Sequence, residues 1–178
     1  MTRLTARRRQ LLEALDREAR RTGSSGSLHG RAIADRAGIH GTDFECLDVL
    51  DWAGPLTAGE LARQVGITSG AATGVIDRLE RLGFVRRTND PRDRRRVIVE
   101  LQLLDEDRRA QMGALLSPLQ EDMAAINDRL DDDQLATVLE WLQAANDAVD
   151  RSTRRLREGA APSEGLRTSK GARKPPER

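Results

Sequence analysis

Apolar residues follow a helical period over most of the chain, and breaks in that period divide it into elements. Leucines and alanines recur every three or four residues over 5–21 among Arg and Glu, which predicts an amphipathic helix. The Gly- and Ser-rich run 23–27 predicts a flexible loop that ends this helix. Two shorter helices are expected at 29–37 and 43–52, each followed by a glycine that stops it.

A pair of short helices joined by a tight turn is predicted in the middle of the chain. Thr57 and Glu60 have capping-box spacing, which predicts a helix start. A tight turn is expected at 66–67, and Thr68 or Ser69 can then cap the next helix. Two such helices, each with an apolar inner face, form a helix-turn-helix.

A β-hairpin is predicted directly after this pair. Runs rich in β-branched residues at 84–88 and 96–101 flank a turn of Asn, Asp, Pro and Arg at 89–95. A hairpin in this position is a wing. Long helical patterns return at 105–127 and 132–157, so the fold class is mainly α with a small β-hairpin wing (α+β).

The charge is unevenly distributed, although the net charge is only +1. Residues 78–96 carry eight Arg and three acids, whereas residues 101–150 carry three Arg and twelve acids. A basic zone beside an acidic body indicates a face that binds a polyanion. No apolar run approaches the roughly 18 residues of a membrane span. The basic N-terminus is not followed by the apolar stretch that a signal peptide needs. A cytoplasmic protein is therefore expected.

Three segments carry a resemblance to a known family. LTAGELA at 56–62, DRLE at 77–80 followed by Gly-Phe-Val, and DPRDRR at 90–95 resemble the MarR family of bacterial regulators, over about 42–104. The resemblance implies a transcriptional regulator, commonly a repressor, that binds near-palindromic double-stranded DNA operators as a homodimer. The regions implied are a dimerisation helix and loop at 1–30, a winged helix-turn-helix domain at 31–104 and dimerisation helices at 105–158. The segment 159–178 lies outside the resemblance; it is rich in Pro, Gly, Ser and Arg with almost nothing to bury, which predicts a disordered basic tail.

The second helix of the motif, 69–82, is expected to enter the major groove with its N-terminal half. Hydroxyls there can bind phosphates or bases, and small residues allow close backbone approach. Many family members have a larger polar or basic side chain where this chain has Gly74, so base readout by that residue is not expected here. The alternative to DNA contact is that these glycines and alanines only pack within the domain. The candidate residues are Thr68, Ser69, Gly70, Ala71, Thr73 and Gly74.

Arginines supply the remaining candidate contacts. Arg78 and Arg81 lie further along the helix and can reach phosphates; alternatively, Arg78 pairs with acids near Asp77 on the domain surface. By resemblance, the wing at 84–101 enters the minor groove, which attracts Arg when it is narrow. The resemblance then implies that Arg95 inserts, that Asp93 orients it through a salt bridge, and that Arg92 and Arg94 flank the phosphates. The alternative for this run is a solvated charged loop.

The sequence gives only weak indications of how the protein is regulated. Family members often bind small aromatic or phenolic effectors between the dimerisation helices and the winged domain. Residues that can contribute here are Ile33, His29, Ile39, His40, Phe44, Trp52 and Met112. Cys46, the one cysteine, is either an oxidant sensor or a buried inert thiol, and the second is favoured.

Two other classes of function compete with a regulator. The sequence has no GxxxxGK[ST], HExxH or GxSxG motif, so we expect neither an enzyme nor a cofactor, and scattered His and Cys predict no metal site. A winged-helix protein-interaction module is disfavoured because it needs no five arginines between 86 and 95. A nonspecific nucleoid-type DNA binder remains open, since the basic tail can add sequence-independent affinity.

Overall fold

The computed structural model describes residues 5–91 and 93–159. Over these residues the chain forms four helices, then one two-stranded hairpin, then two more helices. This order confirms the predicted fold class, mainly α with a small β-hairpin. In chain order the elements are α1 Ala6–Ala37, α2 Gly41–Ala53, α3 Ala58–Val65, α4 Ser69–Arg81, β1 Val85–Asn89, β2 Val97–Leu101, α5 Glu106–Asn127 and α6 Asp132–Glu158.

Helix α1 is longer than the sequence pattern predicts. It continues through 23–27 to Ala37, so the predicted flexible loop there is wrong. The helix interior tolerates this run because each glycine costs only about 1 kcal/mol relative to Ala and no proline interrupts it. The Ser27 hydroxyl also donates to the Gly23 carbonyl at 3.2 Å within the helix. The helix ends where Gly38 adopts a left-handed φ of 70°.

The helix-turn-helix begins at a capping box. Thr57 Oγ1 accepts from the Glu60 amide at 3.3 Å, and Glu60 Oε2 accepts from the Thr57 amide at 2.8 Å. After the turn, Thr68 is the N-cap of α4, and its hydroxyl accepts from the Ala71 amide at 3.2 Å. These bonds occupy backbone donors that would otherwise be unsatisfied at the helix starts, so both helices begin where the sequence predicts.

The wing is an antiparallel pair that is tied back to the helical motif. Strand β1 pairs with β2 from Val85 opposite Leu101 to Asn89 opposite Val97. Leu56, just before α3, also exchanges two backbone hydrogen bonds with Val99, at 3.1 and 2.7 Å. The base of the wing is therefore fixed to the start of the helix-turn-helix.

One hydrophobic core joins α2, α3, α4 and the wing. Its fully buried residues include Leu61, Ile76, Leu79, Val85 and Val99. Helix α4 contributes its whole inner face to this core, so its opposite face is held at the surface in a fixed orientation.

The chain divides at 121/122 into two compact units. In the second unit the structure describes the end of α5 and α6, whose start is a capping box between Asp131 and Gln134. No residue of α6 is buried, although it bears several large apolar side chains: Leu139, Trp141, Leu142, Val149 and Leu156. The predicted disordered tail lies, from residue 160 onward, outside the described residues. Within the described ranges, no helix combines the length and apolar character needed to cross a membrane.

Candidate nucleic-acid interface

The predicted groove-facing residues lie together at the surface. Thr68, Ser69, Gly70, Ala71 and Thr73 are exposed at the start of α4, and Gly74 is half-buried. The Thr73 hydroxyl donates to the Ser69 carbonyl at 3.0 Å, and a Cβ added at Gly70 would meet nothing within 4 Å. The first two turns of α4 thus offer an uncovered backbone, exposed hydroxyl groups and the positive end of a helix, which favours phosphate.

Arg78 makes an ion pair that the sequence analysis did not identify. Its Nε donates to Asp43 Oδ2 at 3.1 Å and its Nη2 to Asp43 Oδ1 at 2.5 Å. Asp43 belongs to α2 and is only 1 % exposed, so the partner is a buried acid rather than a surface acid near Asp77. These hydrogen bonds raise the pKa of Arg78. The available signal was that Asp43 shares a helical face with Cys46, Leu47 and Leu50, which are all buried.

Three wing arginines are held by acids within the domain. Arg86 pairs with Glu100 at 2.8 Å. Arg87 contacts Glu80 and pairs with Asp77 at 2.5 Å, both on α4. Arg96 pairs with Glu60 at the start of α3, at 3.0 Å. The Arg86 pair joins the two strands, and the Arg87 and Arg96 pairs brace the hairpin against α4 and α3, so these three side chains serve the fold.

Arg94 and Arg95 differ from these residues. Both are exposed at the wing tip, and neither side chain bonds to any residue within the described ranges. Arg92, which was predicted to flank them, lies outside the described residues. The Asp93 carboxylate accepts from the backbone amide of Arg95 at 3.0 Å, not from its guanidinium as the resemblance implies. An Asp side chain that accepts from the backbone amide two residues later forms a local turn that is typical of Asp. The Arg95 guanidinium takes no part in this bond and is exposed to solvent.

The candidate effector residues are scattered. Ile33 is buried and Trp52 is largely exposed. Only Ile39 and Met112 of the seven line a cavity of about 430 Å³, together with Arg36, Phe84 and Arg108. Over this cavity the Arg108 guanidinium lies 5.5 Å from the centre of the Phe84 ring.

Cys46 is a residue of α2, and its side chain is fully buried in the core. Burial, together with the nearby Asp43 and Glu45, raises the pKa of its thiol to about 11. A thiol with so little thiolate at neutral pH is a poor nucleophile, in accord with an inert core residue. Among the described residues, no three His, Cys, Asp or Glu side chains are grouped to hold a metal.

Comparisons with known proteins agree with this geometry. The chain matches the MarR family model over residues 39–97. It is 32% identical over 139 residues to YcgE, an HTH-type transcriptional regulator of Bacillus subtilis (strain 168), covering 78% of this chain and 88% of the relative.

Two solved structures share its fold. The transcriptional regulator Tm0710 of Thermotoga maritima has 22% identity and a TM-score of 0.51, over 80% of this chain and 98% of that one. A MarR family protein of Bacillus stearothermophilus has 23% identity and a TM-score of 0.55, over 80% of this chain and 97% of that one.

Proposed function

This chain belongs to the MarR family of DNA-binding transcriptional regulators, and from that premise we propose that it is a repressor acting as a homodimer. Each subunit places α4 in the major groove and the wing in the adjacent minor groove of a near-palindromic operator. A small-molecule effector relieves the repression. The arrangement of the wing arginines is the observation that carries this proposal.

The wing supports a DNA-contacting role because its arginines divide into two sets. Arg86, Arg87 and Arg96 are paired with acids of the same domain, as expected of structural side chains. Arg94 and Arg95 at the tip have no such partner among the described residues. Two unpaired guanidinium groups at an exposed hairpin tip suit a narrow minor groove, where the negative potential is strongest.

The recognition helix supports the same role. Its inner face is fixed in the core, and its first turns expose Thr68, Ser69, Thr73 and the bare backbone at Gly70. Hydroxyls and backbone amides at a helix start position a protein on phosphates, and small residues permit contact with base edges. Arg81, which is also exposed, extends the basic surface along the same helix.

A homodimer is supported by the apolar side chains that each unit leaves exposed. In the first unit Leu11, Leu12 and Leu15 are each more than 40 % exposed along α1. In the second, α6 buries none of its apolar residues. Apolar faces of this kind are typical of self-association, and a two-fold dimer would match a palindromic site.

The cavity below the winged motif suits a small acidic aromatic effector. Arg36 and Arg108 provide positive charge beside the apolar Ile39, Phe84 and Met112. Arg108 also donates to the carbonyl of Leu82, immediately after α4. A bound carboxylate would compete for this guanidinium and release its hold on the end of the recognition helix.

The test is a titration of the purified full chain against the DNA upstream of its own gene and a scrambled duplex of equal length. The titration is repeated at several salt concentrations, because an affinity has meaning only at a stated salt. Tighter binding to the upstream duplex at physiological salt, weakened by aromatic carboxylates such as benzoate, is the expected result. Equal, salt-fragile binding to both duplexes would favour a nonspecific binder instead.

A further inference from the structure

The pair formed by Asp43 and Arg78 has features that a purely structural ion pair does not need. Asp43 is the only buried polar or charged side chain among the described residues. A buried charge is expensive unless it is paired and hydrogen-bonded. Its two oxygens take the Nε and Nη2 donors of Arg78, so the carboxylate is satisfied by a single, two-pronged contact from a different helix.

The remaining end of the Arg78 guanidinium points elsewhere. Nη1 makes no hydrogen bond within the part of the chain that the structure describes, and the side chain is 37 % exposed. A Cβ added at Gly74 would lie 3.8 Å from Nη1. Nη1 therefore lies beside Gly74, one turn nearer the N-terminus of α4, and the missing side chain leaves its approach open.

The position on the helix suggests what Nη1 binds. Residues 72, 75, 76 and 79 face the core, and at 100° per residue Gly70, Gly74 and Arg81 lie opposite them. Arg78 lies to one side of that outer line, toward α2, which is where a groove wall rather than a base edge would lie. An arginine held rigidly by a carboxylate loses little further freedom when it binds an anion.

We propose that Arg78 contacts a backbone phosphate through Nη1 and that buried Asp43 is the positioning residue that presents it. Asp43 touches no DNA itself. This inference rests on the proposed function of α4 as the helix in the groove. It adds that the first turn of α2 takes part in DNA binding by fixing the rotamer of an α4 side chain.

Asp43→Asn tests this inference because the two effects of the substitution have opposite signs. The change removes a negative charge, which on electrostatic grounds alone strengthens binding to DNA. We expect it instead to weaken binding by about threefold to tenfold per subunit, the cost of ordering a freed Arg side chain. Asp51→Asn is the matched control, with the same charge change on the exposed face of the same helix, and it should bind as tightly as the wild type or more tightly.

A double-mutant cycle with Arg78→Gln separates positioning from general destabilisation. The glutamine amide of this variant retains a donor for the buried carboxylate. Arg78→Gln should lower both the affinity and, by about 0.9 per subunit, the slope of log affinity against log salt. Asp43→Asn should leave the slope unchanged and cost nothing further in the Arg78→Gln background. Additive losses, or an Asp43→Asn variant that binds as the wild type does, would overturn the proposal.

Two further measurements keep the outcome decisive. If Asp43→Asn does not melt cooperatively by circular dichroism, Arg78→Lys replaces it: charge is kept but the two-pronged contact is lost, and the same threefold to tenfold loss is expected. Wild-type affinity for that variant would contradict the proposal. Failure of the proposed function is distinguishable, because the wild type would then show no preference for the upstream duplex. A phosphate contact is independent of sequence, so the cycle can still be measured on the scrambled duplex at low salt.

Discussion

Replacing Arg95 with alanine should separate DNA binding from stability almost completely. The Arg95 side chain is exposed and bonds to no described residue, and the turn is held by its backbone amide, which alanine retains. The free energy of unfolding should therefore change by no more than about 0.5 kcal/mol. Loss of a specific Arg contact should weaken DNA binding by about 1–3 kcal/mol per subunit, which is roughly a 5- to 150-fold change in affinity.

Fluorescence anisotropy with a labelled operator duplex provides the assay, with Arg86→Ala as the control. That variant loses the same charge from the same hairpin, but its guanidinium is already paired with Glu100. We expect Arg86→Ala to weaken DNA binding much less than Arg95→Ala does, because only a screened long-range attraction is lost and no direct contact. Exchanging A·T for G·C pairs under the wing should weaken the wild type and leave Arg95→Ala unaffected, since a narrow minor groove is what attracts the Arg. Equal losses in the two variants would refute insertion of Arg95.

Two further predictions concern the domain that carries the site. Cys46 should resist iodoacetamide at pH 8 in the folded protein and react fully in denaturant, since burial raises the pKa of its thiol to about 11; rapid labelling of the folded chain would contradict this. Glu60→Gln keeps the capping acceptor but removes its negative charge, so it should lower the free energy of unfolding by about 1 kcal/mol at pH 7, the difference between a hydrogen bond to a charged acceptor and one to a neutral acceptor. Hydrogen bonds from Thr57 lower the pKa of Glu60 below its usual 4.5, so this contribution is present above that value and is lost as the pH falls through the folded-state pKa. Urea unfolding at pH 7 and pH 3 would check it, and an equal deficit at both would contradict the assignment.

The local features of the fold could be predicted because each depends on residues close in sequence. The capping box of Thr57 and Glu60 and the N-cap at Thr68 involve neighbours within a few positions, and the strands of the hairpin after Gly83 are joined by the short turn 90–96. Helix starts and tight turns are determined by such short-range hydrogen bonds and backbone preferences. The predicted loop at 23–27 is wrong because it was inferred from local composition alone. The local preference of this run for a loop is small, and the helix that continues on both sides of it outweighs that preference.

The ion pairs of the candidate site could not be predicted in the same way. Asp43 and Arg78 are 35 residues apart, and the sequence does not say which of many acids an arginine will meet. The six wing arginines look equivalent in the sequence, yet Arg86, Arg87 and Arg96 are paired, whereas Arg94 and Arg95 pair with none of the described residues. Packing of α2 and the hairpin against α4 makes that distinction, and only tertiary structure reveals it.

A hydroxyl-radical footprint of the full chain on its operator tests the central claim most directly. A homodimer with one α4 and one wing per half-site should protect two patches centred about 10 base pairs apart, or a multiple of that spacing. The patches should be related by two-fold symmetry, with minor-groove protection at their outer edges that Arg95→Ala removes. Continuous protection without phase or symmetry, or a single protected patch, would contradict the account.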